Sequence, residues 1–154
     1  MEQEDFFYHL QPLFEGLGAD PSSLGPAWNY EIAFEHLQLH LSGAKSGRLL
    51  MATRLGKPMS EDDGELGWKL LEMNGFNQEV PAFHHSATAD KFIVLWVELQ
   101  IENWQGIELT AMLNRFLSHA MQVSERLRQP SASPKAKKLV PAAHELMIRQ
   151  RHNF

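Results

Sequence analysis

Two histidines spaced four residues apart raise the question of whether this chain binds a metal ion. His36 and His40 stand in the segment HLQLHLS, residues 36–42. On a helix this spacing would place both imidazoles on one face, as a shared metal ion requires. The leucines of the segment, however, occupy every second position, which is the pattern of a strand with one buried face. On a strand the two histidines would lie about 13 Å apart, too far for both to reach one metal ion.

No other combination of residues has the spacing of a familiar catalytic or phosphate-binding motif. The sequence lacks a Gly-rich phosphate loop, a G-x-S-x-G nucleophile turn and an HExxH helix. His84 and His85 are adjacent, so on a strand they point to opposite faces, and His119 is interpreted as an exposed or edge residue of a helix. We therefore predict no catalytic residue, no cofactor and no metal ligand. A metal site that pools histidines from several strands stays open as an alternative.

Composition and charge narrow the classes of partner. The 154 residues include no cysteine, which excludes disulfides and thiolate chemistry and fits a cytoplasmic protein. No apolar run approaches the length of a membrane span. Residues 1–128 hold 18 of the 19 acidic residues but only nine of the 14 Lys and Arg. Because a body this acidic repels phosphates, we expect no nucleic acid binding, and because no apolar run is long enough, we expect no membrane insertion.

Hydrophobic periodicity predicts an α+β domain with helices packed on an antiparallel sheet, in the order α-β-β-β-α-β-β-α. The early strands alternate apolar and polar residues, and their closeness in sequence favours an antiparallel meander. The predicted helices cover residues 5–17, 61–74 and 107–128, and the predicted strands cover 28–35, 36–41, 47–55, 83–87 and 91–101. Ser60 and Asp63 resemble a capping box at the start of the second helix.

The chain after residue 128 differs in composition from the domain before it. Residues 129–154 contain five Lys and Arg and one acidic residue, and they begin with QPSASPKAKK, which is typical of a linker. We predict a domain over 1–128 and a basic C-terminal extension containing Pro, Ser and Lys over 129–154. Residues 139–154 have the spacing of one short amphipathic helix.

The segment KFIVLWVELQI, residues 91–101, is apolar on both faces over half its length. Ile93, Leu95 and their alternate neighbours face one way, whereas Phe92, Val94 and Trp96 face the other. A sheet that its own helices cover on one side should carry polar residues on the side that faces water. The excess apolar surface favours an interface, and the simplest partner is a second copy of the chain. The alternative is that a helix of the same chain covers these residues.

The order of elements resembles the Tir-chaperone (CesT-like) family, the class I type III secretion chaperones. The resemblance rests on FFYHLQPLFEGLG, YEIAFEHLQLHLSGAKSGRLLMATRLG, SEDDGELGWKLLEMNGF, FHHSATADKFIVLWVELQI and IELTAMLNRFLSHAMQVSERL. It covers residues 5 to about 128. Two features depart from the family: the longer basic extension, and NQEVPAFHH in place of a glycine-rich run before the hairpin that we predict from the strands at 83–87 and 91–101.

The resemblance implies a cytoplasmic bacterial homodimer without enzymatic activity. Such a protein binds the N-terminal region of a secreted effector in extended form, and the export ATPase is a further implied partner. The implied effector-binding residues lie in the first helix and the first three strands: Phe7, Leu10, Phe14, Ala33, Arg48, Leu50, Ala52 and Arg54. The implied dimer residues lie in the second helix and the late strand: Trp68, Leu71, Phe92, Val94 and Trp96. For Leu10 and Phe14 a role in the ordinary core is an equal alternative.

Three hypotheses about function remain at the level of sequence. The first is a dimeric secretion chaperone. The second is a regulatory or adaptor protein of the same fold that sequesters a protein partner, and the identity of the partner would distinguish it from the first. The third is an enzyme or metal-binding protein with a histidine site, which predicts bound metal in the purified protein.

Overall fold

The fold is an α+β domain, as the hydrophobic pattern predicts. The computed structural model describes residues 1–34, 36–57, 64–74, 81–128 and 147–150. Within them, three helices and six strands follow one another along the chain. They are α1 Gln3–Gly16, β1 Asn29–Ala33, β2 Gln38–Gly43, β3 Arg48–Gly56, α2 Gly64–Met73, β4 His84–Ala87, β5 Ile93–Gln100, α3 Gly106–Arg128 and β6 Met147–Gln150.

The six strands form one sheet in the order β4-β5-β3-β2-β1-β6, and every pairing is antiparallel. β1, β2 and β3 form the predicted meander. α2 and β4 follow β3 along the chain, and the next strand, β5, returns to pair with β3, so that β4 lies at an outer edge. This crossover sets β3 and β5 side by side in the interior of the sheet.

One face of the sheet packs against α1 and α3 and forms the core. The buried residues of β3 and β5 alternate strictly along each strand, as period-2 side-chain geometry requires. α1 adds an apolar stripe that includes Phe6, Leu10 and Phe14, and α3 adds Leu113 and Phe116, all of them fully buried. The hydroxyl of Ser124 in α3 donates to the carbonyl of Leu55 at 2.8 Å, which fixes this helix to the end of β3.

The end of β2 lies directly beneath α1. A Cβ added at Gly43 would come within 2.5 Å of the ring of Phe6. Only glycine allows the strand to approach the helix this closely. The backbone N–H of Gly43 also donates to the carbonyl of Trp28 at 2.6 Å, which continues the β1–β2 ladder past the strand ends.

The segment that opened the question of metal binding is a strand. β2 contains Leu39 and Leu41 on the buried face, and His40 is half-buried on the other face. β2 starts at Gln38, so His36 stands in the preceding bend rather than in the strand. The strand prediction is therefore confirmed for residues 38–41.

The C-terminal segment forms a strand where the sequence predicts a helix. The amphipathic helix predicted over 139–154 is wrong for residues 147–150, which form β6 and pair with β1. The exposed peptide groups along β1 offer a strand of four residues more hydrogen bonds than an isolated helical turn can make. The remaining residues of that prediction, and the capping box at Ser60 and Asp63, lie outside the described residues.

Candidate protein-binding surface

The sheet face opposite the helices keeps much of its surface accessible, and we call it the open face. On β3 the two arginines are exposed, and Leu50 and Ala52 are half-buried. On β5, Val94 and Trp96 are half-buried. We define the open face by Glu31 of β1, His40 of β2, Arg48, Leu50, Ala52 and Arg54 of β3, and Val94, Trp96 and Glu98 of β5. It presents apolar side chains among charged ones, which is typical of a protein-binding surface.

Charged side chains border the apolar part of the open face. Arg48 Nη1 lies 3.4 Å from Glu98 Oε1, and both side chains are largely exposed, so the ion pair adds little stability. At the other end of β3, the guanidinium of Arg54 lies 5.0 Å from the centre of the Phe92 ring. The ammonium of Lys57 lies 4.6 Å from the same ring. Cations around Phe92 suit a partner that brings carboxylates or backbone carbonyls.

A row of register partners crosses the open face from β4 to β1. His84 pairs with Trp96, Trp96 with Ala52, Ala52 with His40 and His40 with Glu31. The rings of His84 and Trp96 stack with centroids 4.6 Å apart and an interplanar angle of 29°. Trp96 is therefore flanked by an imidazole on β4, with a small side chain opposite it on β3.

Glu31 ends this row as a buried carboxylate. The side-chain amide of Gln38 donates to Oε2 at 3.0 Å, and Nδ1 of His40 lies 3.2 Å from Oε1. A carboxylate that is 6% exposed needs such neighbours to offset the loss of hydration. The β1 end of the open face is therefore polar, whereas its centre is apolar.

Residues that the sequence assigned to two separate sites lie side by side on the open face. Ala52 is the register partner of Trp96, and Arg54 is the register partner of Val94. Sequence alone could not show this proximity, because the pairing of β3 with β5 skips over β4. The predicted effector-binding strand and the predicted dimer strand thus share one continuous surface.

The predicted binding residues of α1 lie in the core. Leu10 and Phe14 have no exposed surface, and Phe7 is 9% exposed. The rings of Phe14 and Tyr30 meet edge to face with centroids 5.0 Å apart. The Tyr30 hydroxyl is itself fixed, since it donates to the carbonyl of Gly25 at 2.9 Å. These contacts favour the core role that the sequence left open for Leu10 and Phe14, and a binding role for all three remains a prediction.

The predicted dimer residues of α2 point into solvent. Trp68 is 70% exposed and Leu71 is 62% exposed, whereas Leu70 and Met73 pack against the core. Trp68 and Leu71 are three residues apart and therefore lie on the same helix face. Large apolar side chains that are this exposed on one helix face are typical of a protein–protein interface.

A buried polar cluster on the helix-covered side was not foreseen from the sequence. Asn74, which follows α2, makes two hydrogen bonds with the backbone of His85 in β4. Its side-chain NH₂ group donates to the carbonyl of His85 at 2.7 Å, and its Oδ1 accepts from the His85 backbone N–H at 2.6 Å. Nε2 of His85 lies 3.1 Å from Nε2 of His119 on α3. His119 is half-buried, which fits the prediction of an edge residue rather than that of an exposed one, and its contact with His85 was not predicted.

The hydrogen bonds around His85 define its tautomer. Oδ1 of Asn74 can only accept, and it lies 3.1 Å from Nδ1 of His85, so Nδ1 carries the hydrogen. The Nε2 atom of neutral His85 is then an acceptor, and His119 donates to it. Burial, followed by the nearby His119 and His84, lowers the pKa of His85 from 6.5 to about 4.

The described residues contain no group of three or more His, Asp or Glu side chains placed to hold one metal ion. Among the described helices, none has both the length and the apolar character needed to cross a bilayer.

Comparison with known proteins places this geometry in context. The sequence matches the sequence model of the Tir chaperone protein (CesT) family over residues 9–124. No curated protein matches it by sequence. The fold is similar to the structure of the Yersinia pestis type III secretion chaperone SycH in complex with a stable fragment of YscM2. That match has 18% identity and a TM-score of 0.63, and it covers 76% of this chain and 98% of the other.

Two further solved structures have a similar fold. The ExoT–SpcS complex from Pseudomonas aeruginosa matches at 16% identity with a TM-score of 0.60, covering 76% of this chain and 95% of that one. The HopA1–SchA chaperone–effector complex matches at 15% identity with a TM-score of 0.58, covering 83% of this chain and 98% of that one. At identities this low, the structural similarity demonstrates a shared fold only. Membership of the family rests on the match to the family's sequence model.

Proposed function

Because this chain belongs to the Tir chaperone protein (CesT) family, we propose that it binds the N-terminal segment of a secreted effector in extended form and keeps it stable and competent for type III export. The open face is the observation that carries the site assignment. An extended polypeptide binds through its main chain and by placing alternate side chains on an apolar surface, and Leu50 and Ala52 of β3 offer such a surface.

The accessible residues of the open face are the best candidates for effector contacts. Leu50 stands between its register partners Ser42 and Glu98, half-buried and without a helix-facing role. Arg48 and Arg54 flank it on the same strand, where they can bind effector carboxylates or carbonyls. Ala33 is half-buried at the end of β1. The buried α1 residues support this surface from below the sheet.

We further propose that the chain acts as a homodimer in the bacterial cytoplasm, without enzymatic activity, and that it presents its effector to the export ATPase. Support for the dimer comes from the exposed pair Trp68 and Leu71 on α2. The apolar residues Phe92, Val94 and Trp96 of the late strand segment would complete the interface. Because Val94 and Trp96 adjoin Arg54 and Ala52 in register, dimer formation would bring two effector-binding surfaces together.

Changing Leu50 tests the assigned surface. We expect Leu50→Glu to abolish co-purification with the effector, because a carboxylate on the apolar surface must lose its hydration when the effector binds. The measurement is co-expression with tagged candidate effectors encoded by neighbouring genes, followed by affinity purification. Ile107→Glu is the matched control, since Ile107 is 87% exposed on α3 and lies outside the open face.

The outcomes separate the alternatives. Retention of the effector by Leu50→Glu at the wild-type level would contradict the site. Capture of a folded regulator in place of an effector N-terminus would favour the adaptor hypothesis. Failure to capture any neighbouring effector would contradict the chaperone function itself.

A further inference from the structure

The basic extension supplies one of the two edge strands of the sheet, β6. β6 pairs antiparallel with β1 over four residues, and the register sets Tyr30 opposite Gln150 and Ala33 opposite Met147. In the strand order β4-β5-β3-β2-β1-β6, this pairing covers the edge of β1. An uncovered edge would offer a template for any other extended chain.

The direction of the peptide groups of β1 defines this edge. The carbonyl of Trp28 accepts from Gly43 at 2.6 Å, and the N–H of Phe34 donates to Leu37 at 2.8 Å. Even-numbered residues of β1 therefore direct their peptide groups towards β2. Since these directions alternate along a strand, the odd-numbered residues between them direct theirs to the opposite side.

Glu31 and Ala33 are the odd-numbered residues that β6 meets. Their register partners are Arg149 and Met147, so these two pairs exchange the main-chain hydrogen bonds between the strands. The N–H groups of the even-numbered residues of β6 then point away from β1. The contact is short, and a strand of four residues held by so few bonds can leave its edge readily.

The number and type of residues between α3 and β6 bear on how readily this contact can reverse. Residues 129–146 separate α3 from β6, and they contain three prolines and three lysines. The entropic cost of closing a loop rises only slowly with its length. Residues 129–154 hold five basic residues and one acidic residue, whereas the body is acidic, and this difference in charge favours the pairing of β6 with β1. In register, the basic residue Arg149 stands opposite the buried carboxylate-bearing residue Glu31.

We propose that the outer edge of β1 is a strand-binding site that the chain's own β6 occupies until an incoming extended segment displaces it. The extension thereby protects the edge of β1 from nonspecific strand pairing. Only a segment that binds this edge more tightly than β6 does can displace it. That the displacing segment belongs to an effector rests on the proposed function. The exchange of strands itself depends only on the register and on the direction of the peptide groups.

Hydrogen exchange in full-length Arg149→Pro tests the occupancy of the edge. Proline at this position removes an N–H that points to β1, so we expect β6 to detach. The amides of Glu31 and Ala33 should then exchange about tenfold faster, which corresponds to the loss of one or two main-chain hydrogen bonds. The amides of Tyr30 and Ile32 face β2 and should keep their protection. Unprotected Glu31 and Ala33 amides in the wild-type chain would overturn the proposal.

Two variants control for effects other than the lost hydrogen bond. Gln150→Pro places the same ring where the N–H points away from β1, so exchange should stay at the wild-type level. Arg149→Gln removes the charge and keeps the N–H, so protection should be retained. Equal effects of Arg149→Pro and Gln150→Pro would overturn the proposed geometry.

A peptide competition tests whether the edge accepts a strand from outside. The probe is a fluorescent synthetic peptide of residues 143–154, titrated into full-length chains and followed by anisotropy. We expect Arg149→Pro to bind it about tenfold more tightly than the wild type, because its own β6 no longer competes. Equal affinity of the two chains would contradict displacement. Loss of effector capture together with successful exchange of the peptide would remove the proposed function and leave the edge assignment standing.

Discussion

Burial and neighbouring side chains give the histidines of β2, β4 and α3 different environments. His85 and His84 are adjacent and point to opposite faces: His85 pairs with His119 beneath the sheet, and His84 stacks on Trp96 at the open face. The two neighbours therefore differ in environment although the sequence treats them alike. His40 lies beside the buried carboxylate of Glu31, so it supports a polar cluster.

The lowered pKa of His85 predicts that the stability of the protein depends on pH. The folded pKa of about 4 lies below the unfolded value near 6.5, so the folded chain binds fewer protons between these values. The free energy of unfolding should therefore fall as the pH drops from 6.5 towards 4, by up to about 1.4 kcal/mol per pH unit from this residue. His85→Gln should flatten the dependence, measured by urea unfolding at each pH.

The exposed residue His36 provides the control for this measurement. His36→Gln should keep the wild-type slope, since it leaves the buried cluster unchanged. Equal slopes for the wild type and His85→Gln would contradict the environment assigned to His85.

At the scale of elements, α1 shows that helical spacing alone does not tell which surface an apolar stripe contacts. Its apolar residues have the spacing of an amphipathic helix, and that spacing does not say what lies on the other side. In the structure the apolar stripe of α1 packs against the sheet, where the ring of Phe14 contacts the ring of Tyr30. β3 is the reverse case, because Leu50 and Ala52 stand on a face that the helices leave accessible.

Truncating Phe14 tests the core role. We expect Phe14→Ala to lower the free energy of unfolding by about 3–5 kcal/mol, as removal of a fully buried aromatic ring usually does. Tyr8→Ala on the same helix should cost less than about 0.5 kcal/mol, because Tyr8 is 71% exposed. Urea unfolding measures both. Unchanged stability of Phe14→Ala would show that the ring belongs to a binding surface rather than to the core.

At the scale of the whole molecule, two accessible apolar areas of the described residues matter for assembly: the pair Trp68 and Leu71 on α2, and the open face around Trp96. The proposed homodimer would cover part of both. The acidic body and basic extension add a charge asymmetry that suits a segment folded back onto its own domain.

Introducing a charge on α2 tests the dimer. Trp68→Glu should shift the wild-type dimer to a monomer at micromolar concentration, measured by light scattering after size-exclusion chromatography. The side chain is 70% exposed, so the substitution should leave the stability of the monomer almost unchanged. Ile107→Glu, at another exposed apolar position, should remain dimeric. A wild-type chain that is already monomeric would refute the proposed assembly, and Trp96→Glu should give the same dissociation if the late strand lies in the interface.

The sequence by itself determined the class of fold, the meander, the hairpin and the family, because alternation and helical spacing are local properties that each segment carries alone. Residues 38–41, QLHL, are predicted as a strand for that reason, and the excess apolar surface of residues 91–101 was visible for the same reason. Only the tertiary structure decided three other features: the pairing of β3 with β5, the contact between His85 and His119, and the pairing of β6 with β1. Each joins residues distant in sequence, and their proximity depends on how the sheet is ordered and how the helices cover it.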